Sequence, residues 1–285
     1  MPGILYVVAT PIGNLEDITL RALRILREDA AVIACEDTRQ TRKLLEHFQI
    51  HKPLVSYHEH NEQARAAELV EQLERGDSIA LVSDAGTPLV SDPGYRLVSS
   101  AIAKGIPVVP LPGASALLAT LAASGLPTDE FHFRGFLPAK SGARRRVLEV
   151  ITQERATVVI YESPHRILET LSDMAELFGA RPVVVSRELT KVHEEFLRGS
   201  AQEIFDQLSQ RASVKGEFTI AIGRSEEQTE VLADPLAEIN RLQSEEGLDR
   251  MAAIKTVAKR LGLPKRELYR LSTEPDSSPP DKRRG

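Results

Sequence analysis

Short apolar runs alternate with longer amphipathic segments along the first half of the chain. Ile4–Ala9 is apolar throughout and too short for a helix, so it predicts a buried strand. Four further predicted strands follow at residues 31–35, 54–56, 78–82 and 107–111. Helical spacing appears between them, first with Asp17 as the expected N-cap and an apolar stripe at Ile18, Ala22, Ile25 and Leu26. This alternation predicts an α/β domain with a mostly parallel sheet.

A run of turn-forming residues, Gly125 to Asp129, interrupts the pattern and predicts a boundary between two domains. Residues 1–125 form the predicted N-terminal α/β domain, and residues 126–223 a second α/β domain with more antiparallel strands. A polar linker follows, and then residues 234–271 predict a small helical appendix rich in basic residues. The Pro- and Ser-containing residues 272–285 predict a disordered tail.

Composition narrows the class of protein. The chain has 285 residues, 42% of them hydrophobic, which suits one or two globular domains. A net charge of −5 excludes a uniformly basic nucleic-acid binder. The single cysteine, Cys35, excludes an intramolecular disulfide and a multi-cysteine zinc module. Because the start lacks a basic signal-peptide region and no apolar run nears the ~20 residues of a membrane span, the sequence predicts a soluble cytoplasmic protein.

Basic residues are concentrated in two islands on this acidic background. Phe133–Arg146 holds five Lys or Arg and no acid, and Asp249–Arg270 holds seven against two acids. Each island could be an ordinary solvated helix face, but the two together favour a polyanionic partner. The phenylalanines Phe131, Phe133 and Phe136 are expected to lie in the core. The residues expected to contact RNA are Arg134, Lys140, Arg144, Arg145, Arg146, Lys255, Lys259, Arg260, Lys265 and Arg266.

Four loops follow predicted strands, where ligands of an open α/β sheet bind. Thr10–Asn14 has one glycine, so it fails as a dinucleotide fingerprint, and taken alone it indicates only a tight turn. Glu36–Arg39 holds two adjacent acids beside an arginine, which can supply a base or simply cap the next helix. Ser83–Gly94 has more Gly, Pro, Asp and hydroxyl residues than a turn needs, which favours a ligand site. Pro112–Ala116 allows a ligand, or merely close packing, at a helix N-terminus.

These loops, taken in order together with Asp17–Thr19 and Tyr161–Arg166, resemble the tetrapyrrole-methylase superfamily. The likeness runs from about Ile4 to Arg270 and is strongest to its branch of ribosomal RNA methyltransferases. That branch methylates the 2′-hydroxyl of cytidine 1402 in the 16S RNA of the small ribosomal subunit. The resemblance implies a two-domain fold, a homodimer and S-adenosylmethionine held in the cleft between the domains. One departure is that the superfamily's Gly-Asp-Pro reads Ser83-Asp84-Ala85 here.

The resemblance also implies roles for individual residues. Asp37 matches a proton acceptor, with Glu36 as the alternative, and Arg39 is placed to keep Asp37 ionised. No metal is expected, because His58 and His60 have weak ligand spacing in a predicted loop. The residues that match cofactor contacts are Ile12, Ser83, Asp84, Thr87, Ser115, Ala116, Tyr161, Glu162, Leu189 and Glu217.

Two rival functions remain open on sequence alone. A small-molecule methylase of the same fold would need neither basic island. A non-catalytic RNA-binding factor of ribosome assembly would not need the ligand-shaped loops, and failure to bind S-adenosylmethionine would favour it. The sequence therefore predicts an RNA methyltransferase. The basic islands argue against the small-molecule methylase, and the loops argue against the non-catalytic factor.

Overall fold

The computed structural model describes residues 1–225, 235–245, 247–261, 266, 268 and 269. The chain divides into two compact units, Met1–Ser225 and Glu226–Gly285. The first unit holds two five-stranded sheets. The predicted linker beyond residue 225, much of the end of the predicted helical appendix and the predicted disordered tail lie outside the described residues.

The first sheet is entirely parallel, in the order β3-β2-β4-β1-β5. Its strands β1 and β4 are buried along their whole length, as expected for apolar runs with helices on both faces. The strands are β1 (Leu5–Val8), β2 (Val32–Cys35), β3 (Leu54–Ser56), β4 (Ile79–Val82) and β5 (Val108–Leu111).

Five helices follow these strands: α1 (Leu20–Arg24), α2 (Thr38–His47), α3 (Glu62–Glu74), α4 (Tyr95–Ala103) and α5 (Ala116–Ser124). The prediction that Asp17 caps α1 is wrong. Asp17 ends a short 3-10 turn, and Thr19 is the N-cap, its hydroxyl accepting a hydrogen bond from the Ala22 amide. Asp37 does cap α2, and Ser115 caps α5.

The second sheet is mixed, in the order β6-β7-β10-β8-β9, with only β6 and β7 parallel. The antiparallel character expected from the sequence is thus confirmed. Its strands are β6 (Phe131–Phe136), β7 (Thr157–Glu162), β8 (Val183–Arg187), β9 (Glu195–Gly199) and β10 (Phe218–Ile222). Its helices are α6 (Ser141–Thr152), α7 (Ile167–Phe178) and α8 (Ala201–Ser209), the last opened by a capping box of Ser200 and Glu203.

Helix α5 belongs by sequence to the first half of the chain but packs on the second sheet. Leu121 of α5 is buried in one cluster with Val159 of β7, Val184 of β8 and Ala221 of β10. A buried hydrogen bond of 2.6 Å joins the Thr120 and Ser186 hydroxyls across the same contact. These contacts join the two sheets within one compact unit, and the division of the chain at residue 125 stays a prediction.

The second unit is described through two helices, α9 (Pro235–Glu245) and α10 (Arg250–Leu261). Ile254, Val257 and Ala258 of α10 are buried, and they pack with Ile239 and Leu242 of α9. The contact between α9 and α10 thus buries an apolar stripe on α10. No helix within the described residues combines the length and apolar character that a membrane crossing needs.

Candidate functional site

A cavity of about 340 Å³ lies at the carboxyl ends of β1 and β4 and extends to β7 and β10 of the second sheet. Its volume is within the range of small-molecule sites, about 300–1,000 Å³. One wall comes from the loops after β1 and β4 and the start of α5. The lining residues are Ile12, Asp84, Ala85, Gly86, Thr87, Val90, Ser91, Asp92, Ser115, Ala116, Phe136, Tyr161, Glu162, Ser163, Pro164, Glu217, Phe218 and Thr219.

Hydrogen bonds between the loops fix the first wall. Thr10 and Gly86 form an isolated β-bridge, with N···O distances of 2.9 and 3.0 Å. The Thr87 hydroxyl donates to the Ala114 carbonyl at 3.2 Å, which ties the loop after β4 to the start of α5. A Cβ at Gly113 would lie 2.7 Å from that of Ala9, so only glycine allows this close approach of the two loops. The wall is therefore preorganised.

The opposite wall is aromatic. The Tyr161 ring of β7 lies with its centroid 5.7 Å from that of Phe136 and 4.9 Å from that of Phe133. The prediction that Phe131 and Phe136 are core residues is wrong: Phe136 is 56% exposed and Phe131 39%. Gly135, at φ +61°, interrupts the register between β6 and β7, and this irregularity places Phe136 on the cavity.

Eight of the ten predicted cofactor residues line the cavity, and Ser83 and Leu189 do not. Ser83 is buried, and its hydroxyl donates to the Gly86 carbonyl at 3.0 Å, so it shapes the loop. Leu189 is buried away from the lining. Glu162 borders the cavity, but its carboxylate is fully buried and accepts from the Ser163 amide and the Thr170 hydroxyl at 2.8 and 2.7 Å. That carboxylate therefore stabilises the start of α7.

The acidic pair after β2 lies beside the cavity but does not line it. The Asp37 amide donates to Asp84 Oδ1 at 3.0 Å, which links this loop to the cavity wall. The Asp37 carboxylate accepts from the Arg39 guanidinium at 2.7 Å and from the Arg39 amide at 2.8 Å. Hydrogen bonds from Arg39 hold the pKa of Asp37 down at about 2. Arg39 therefore keeps Asp37 ionised, as expected, but also leaves it a weak base.

Asp92 is a cavity residue that the sequence reasoning missed, because the pattern Asp92-Pro93 predicts a helix start. Helix α4 instead begins at Tyr95 with Gly94 as its N-cap. Leu89 and Ser91 both have positive φ, +72° and +67°, and this strained backbone brings Asp92 to the cavity. Burial, followed by the Glu36 and Asp84 carboxylates, raises the pKa of Asp92 to about 6. Glu36 is exposed, and its pKa is raised by partial desolvation and by Asp84.

Two of the three arginines in the α6 triplet pair with acids of α7, and the third is exposed. Arg144 is 2% exposed, and its guanidinium donates to Asp173 of α7 at 2.7 Å and to Glu169 at 3.4 Å. Arg145 pairs with Asp173 at 2.9 Å and with Glu176 at 2.8 Å. The prediction for Arg144 is wrong, because acids of the next helix neutralise it inside the protein. Arg146 is exposed and donates to the Gly142 carbonyl.

The remaining predicted RNA contacts have varied surroundings. Arg134 pairs with Glu154 at 3.4 Å, whereas Lys140 is exposed. Lys255 and Arg266 of the second unit are exposed. The side chains of Lys259 and Arg260, and the whole of Lys265, lie outside the described residues. Among the residues that the structure describes, no group of three or more His, Cys, Asp or Glu is arranged to hold a metal ion.

The family model for Tetrapyrrole (Corrin/Porphyrin) Methylases matches residues 4–204, well over half of the chain. The chain belongs to this family of methylases. It is 50% identical over 274 residues to "Ribosomal RNA small subunit methyltransferase I" of Halalkalibacterium halodurans, covering 94% of each chain. It is 46% identical to the protein of the same name from Synechocystis, covering 95% of this chain and 98% of that one.

Solved structures of other tetrapyrrole methylases share the fold of this chain. Uroporphyrin-III C-methyltransferase from Thermus thermophilus superposes with a TM-score of 0.54 at 21% identity, covering 78% of this chain and 95% of that one. A second structure of that enzyme, complexed with S-adenosyl homocysteine, gives a TM-score of 0.53 at 20% identity, covering 78% and 97%. The α/β fold expected from the resemblance is thus confirmed.

Proposed function

We propose that this chain transfers a methyl group from S-adenosylmethionine to the 2′-hydroxyl of cytidine 1402 in 16S ribosomal RNA. The observation that carries the proposal is identity of 50% and 46%, over nearly the whole chain, to two proteins named for methylation of small-subunit RNA. The tetrapyrrole enzymes are only about 20% identical and support the fold alone. The assignment of the 2′-hydroxyl and of cytidine 1402 as the target is based on the resemblance of the motifs.

The cavity suits the parts of S-adenosylmethionine. The first-turn amides of α5, beside Ser115 and Ala116, suit a carboxylate. The carboxylate of Asp84 suits the cationic part of the molecule, and the Tyr161 and Phe136 rings offer flat apolar surface to adenine. When bound, this molecule supplies an electrophilic methyl carbon. The loops of the first wall, fixed by their hydrogen bonds, align the attacking oxygen, the methyl carbon and the sulfur. This alignment supplies a large part of the acceleration that methyl transfer needs.

A substitution at Ala116 tests this placement. We expect Ala116→Trp to fill the cavity and abolish S-adenosylmethionine binding in calorimetry while the protein stays folded. Leu118→Trp is the matched control, because Leu118 lies on the same helix, is 55% exposed and does not line the cavity. Unchanged affinity in folded Ala116→Trp would contradict the placement.

A carboxylate of this cleft accepts the proton of the ribose hydroxyl in our proposal. Asp37 is the residue that the resemblance assigns, yet its pKa of about 2 and its bonds to Arg39 make it a weak acceptor. Asp92 lines the cavity, and its pKa of about 6 suits a base near neutral pH. We therefore propose Asp92 as the proton acceptor, with Glu36 raising its basicity and Asp37–Arg39 holding the loop.

Single-turnover methylation of purified, unmethylated small subunits separates these roles. We expect Asp92→Asn to lower the rate about 10²–10⁴-fold with S-adenosylmethionine affinity nearly intact. The base must be deprotonated to act, so the wild-type rate should rise with pH through about 6. The matched variant Asp37→Asn keeps the α2 cap and should lose only a few-fold. A large loss in Asp37→Asn with little change in Asp92→Asn would reverse the assignment.

We also propose that the protein acts as a homodimer in the cytoplasm, where the small subunit is its partner. The proposal of a dimer is based on the resemblance of the motifs, and the proposal of a cytoplasmic location is based on the RNA substrate. Analytical ultracentrifugation at micromolar concentration tests this proposal. We expect a single species of about twice the 31.4 kDa chain mass.

A further inference from the structure

Helix α2 and the loop after it carry three cations, Arg42, Lys43 and Lys52, in addition to Arg39 of the Glu36–Arg39 loop. Residues 38–52 hold four Lys or Arg and one acid, Glu46. Arg42 and Lys43 are exposed, and Lys52 is half-buried. Within the residues that the structure describes, none of these three forms an ion pair, and Lys43 donates only to the Gln40 side chain at 3.3 Å. Their charge is therefore available to an external anion.

The helix begins at the rim of the candidate site. Its N-cap, Asp37, donates its amide to Asp84 Oδ1 at 3.0 Å, and Asp84 lines the cavity. Ten residues of α-helix, Thr38–His47, extend about 15 Å from that rim. Arg42 and Lys43 thus lie on a path that leads away from the cleft along the protein surface.

A second cavity, of about 480 Å³, lies at the far end of this path. Arg42, His51 and Lys52 provide nitrogen donors on its wall, and Glu46 is the one carboxylate among its lining residues. Leu45 and Ile50 are buried and give it an apolar floor. The adjoining strand β3 is the edge of the first sheet, so no further strand of that sheet covers this side. The cavity thus combines cationic donors with an apolar floor, which suits a phosphodiester and its sugar.

We propose that Arg42, Lys43, His51 and Lys52, the α2 surface, hold the sugar-phosphate backbone of the substrate RNA next to the reacting nucleotide. The proposal rests on the proposed function, since it assumes an RNA substrate. Phosphate contacts from Lys and Arg supply affinity and register without reading sequence. The α2 surface therefore positions the RNA strand, and base recognition lies elsewhere.

The test compares two triple variants of the full chain. The first, Arg42→Gln with Lys43→Gln and Lys52→Gln, removes the cations of the α2 surface. The matched control, Arg65→Gln with Arg75→Gln and Lys104→Gln, removes the same charge from cations that pair with Glu68, Glu71 and Glu74. Binding to purified, unmethylated small subunits is measured from low to high salt, together with KM, kcat and S-adenosylmethionine affinity.

We expect the salt slope of the α2 triple variant to fall by about 2 to 3 units, roughly one for each phosphate that the protein no longer neutralises. Its KM for the small subunit should rise about tenfold or more with kcat and cofactor affinity unchanged. The control should match the wild type. If the α2 variant also matches the wild type, this proposal is overturned while the proposed function stands. If the wild-type protein neither binds nor methylates small subunits, the proposed function is wrong. This proposal is then wrong as well, because it assumes an RNA substrate.

Discussion

Helices α2 and α6 each carry a cluster of cations, but the partners of those cations differ. Two arginines of α6, Arg144 and Arg145, share the Asp173 carboxylate of α7, and Glu169 and Glu176 add further pairs. On α2, only Arg39 has an ion-pair partner among the described residues, and that partner is Asp37. The cluster that looks more basic in the sequence is therefore the one whose charge is largely neutralised within the fold.

The difference shows why a count of basic residues along the chain is a poor guide to an RNA surface. Asp173 is 29 residues beyond Arg144 and meets it only because α7 packs on α6. A charge buried in this way contributes to structure, since an unpaired guanidinium would be costly there. A cation that stays exposed and unpaired keeps its charge for a phosphate.

The largest effect that we expect from this comparison is on stability. Asp173→Ala leaves Arg144 buried with only the more distant Glu169, so the free energy of unfolding should fall by about 3–5 kcal/mol. Glu149→Ala, at an exposed acid on α6, is the matched control and should change it by less than about 0.5 kcal/mol. Urea titration measures both. A loss in Asp173→Ala no larger than the control's would contradict the structural role of Arg144.

A smaller effect is expected when both members of the buried pair are replaced together. Arg144→Met with Asp173→Leu removes the charges as a pair, so this variant should lose clearly less stability than Asp173→Ala alone. Arg145 retains Glu176 as its partner at 2.8 Å. Equal losses in the single and double variants would mean that packing volume, and not charge, governs this contact.

The smallest change in the free energy of unfolding, within about 0.5 kcal/mol, is expected for Arg42→Gln, because Arg42 is exposed. Arg42→Gln should lower the salt slope of small-subunit binding by roughly one unit. Arg145→Gln should leave that slope unchanged, because Asp173 and Glu176 already neutralise Arg145. A fall in the slope for Arg145→Gln but not for Arg42→Gln would invert the comparison between the two helices.

Much of the fold was predictable because its signals are local. Apolar runs predicted the strands, as at Ile4–Ala9 for β1 and residues 78–82 for β4. The candidate site was predictable where a motif places residues on one loop, as for Asp84 and Thr87. The predictions for Arg144 and Phe136 were wrong because contacts between residues far apart in the sequence set their exposure. Arg144 is buried against α7, and the register irregularity at Gly135 exposes Phe136. Asp92 was missed because two positive-φ residues, invisible to periodicity, direct the loop.

The central claim is that this chain methylates one ribose of small-subunit RNA. Mass analysis of 16S RNA fragments from a strain that lacks the gene tests it most directly. We predict that the ribose methyl group at cytidine 1402 is absent from the deletion strain and returns when the wild-type gene is restored. Persistence of that methyl group in the deletion strain would contradict the account.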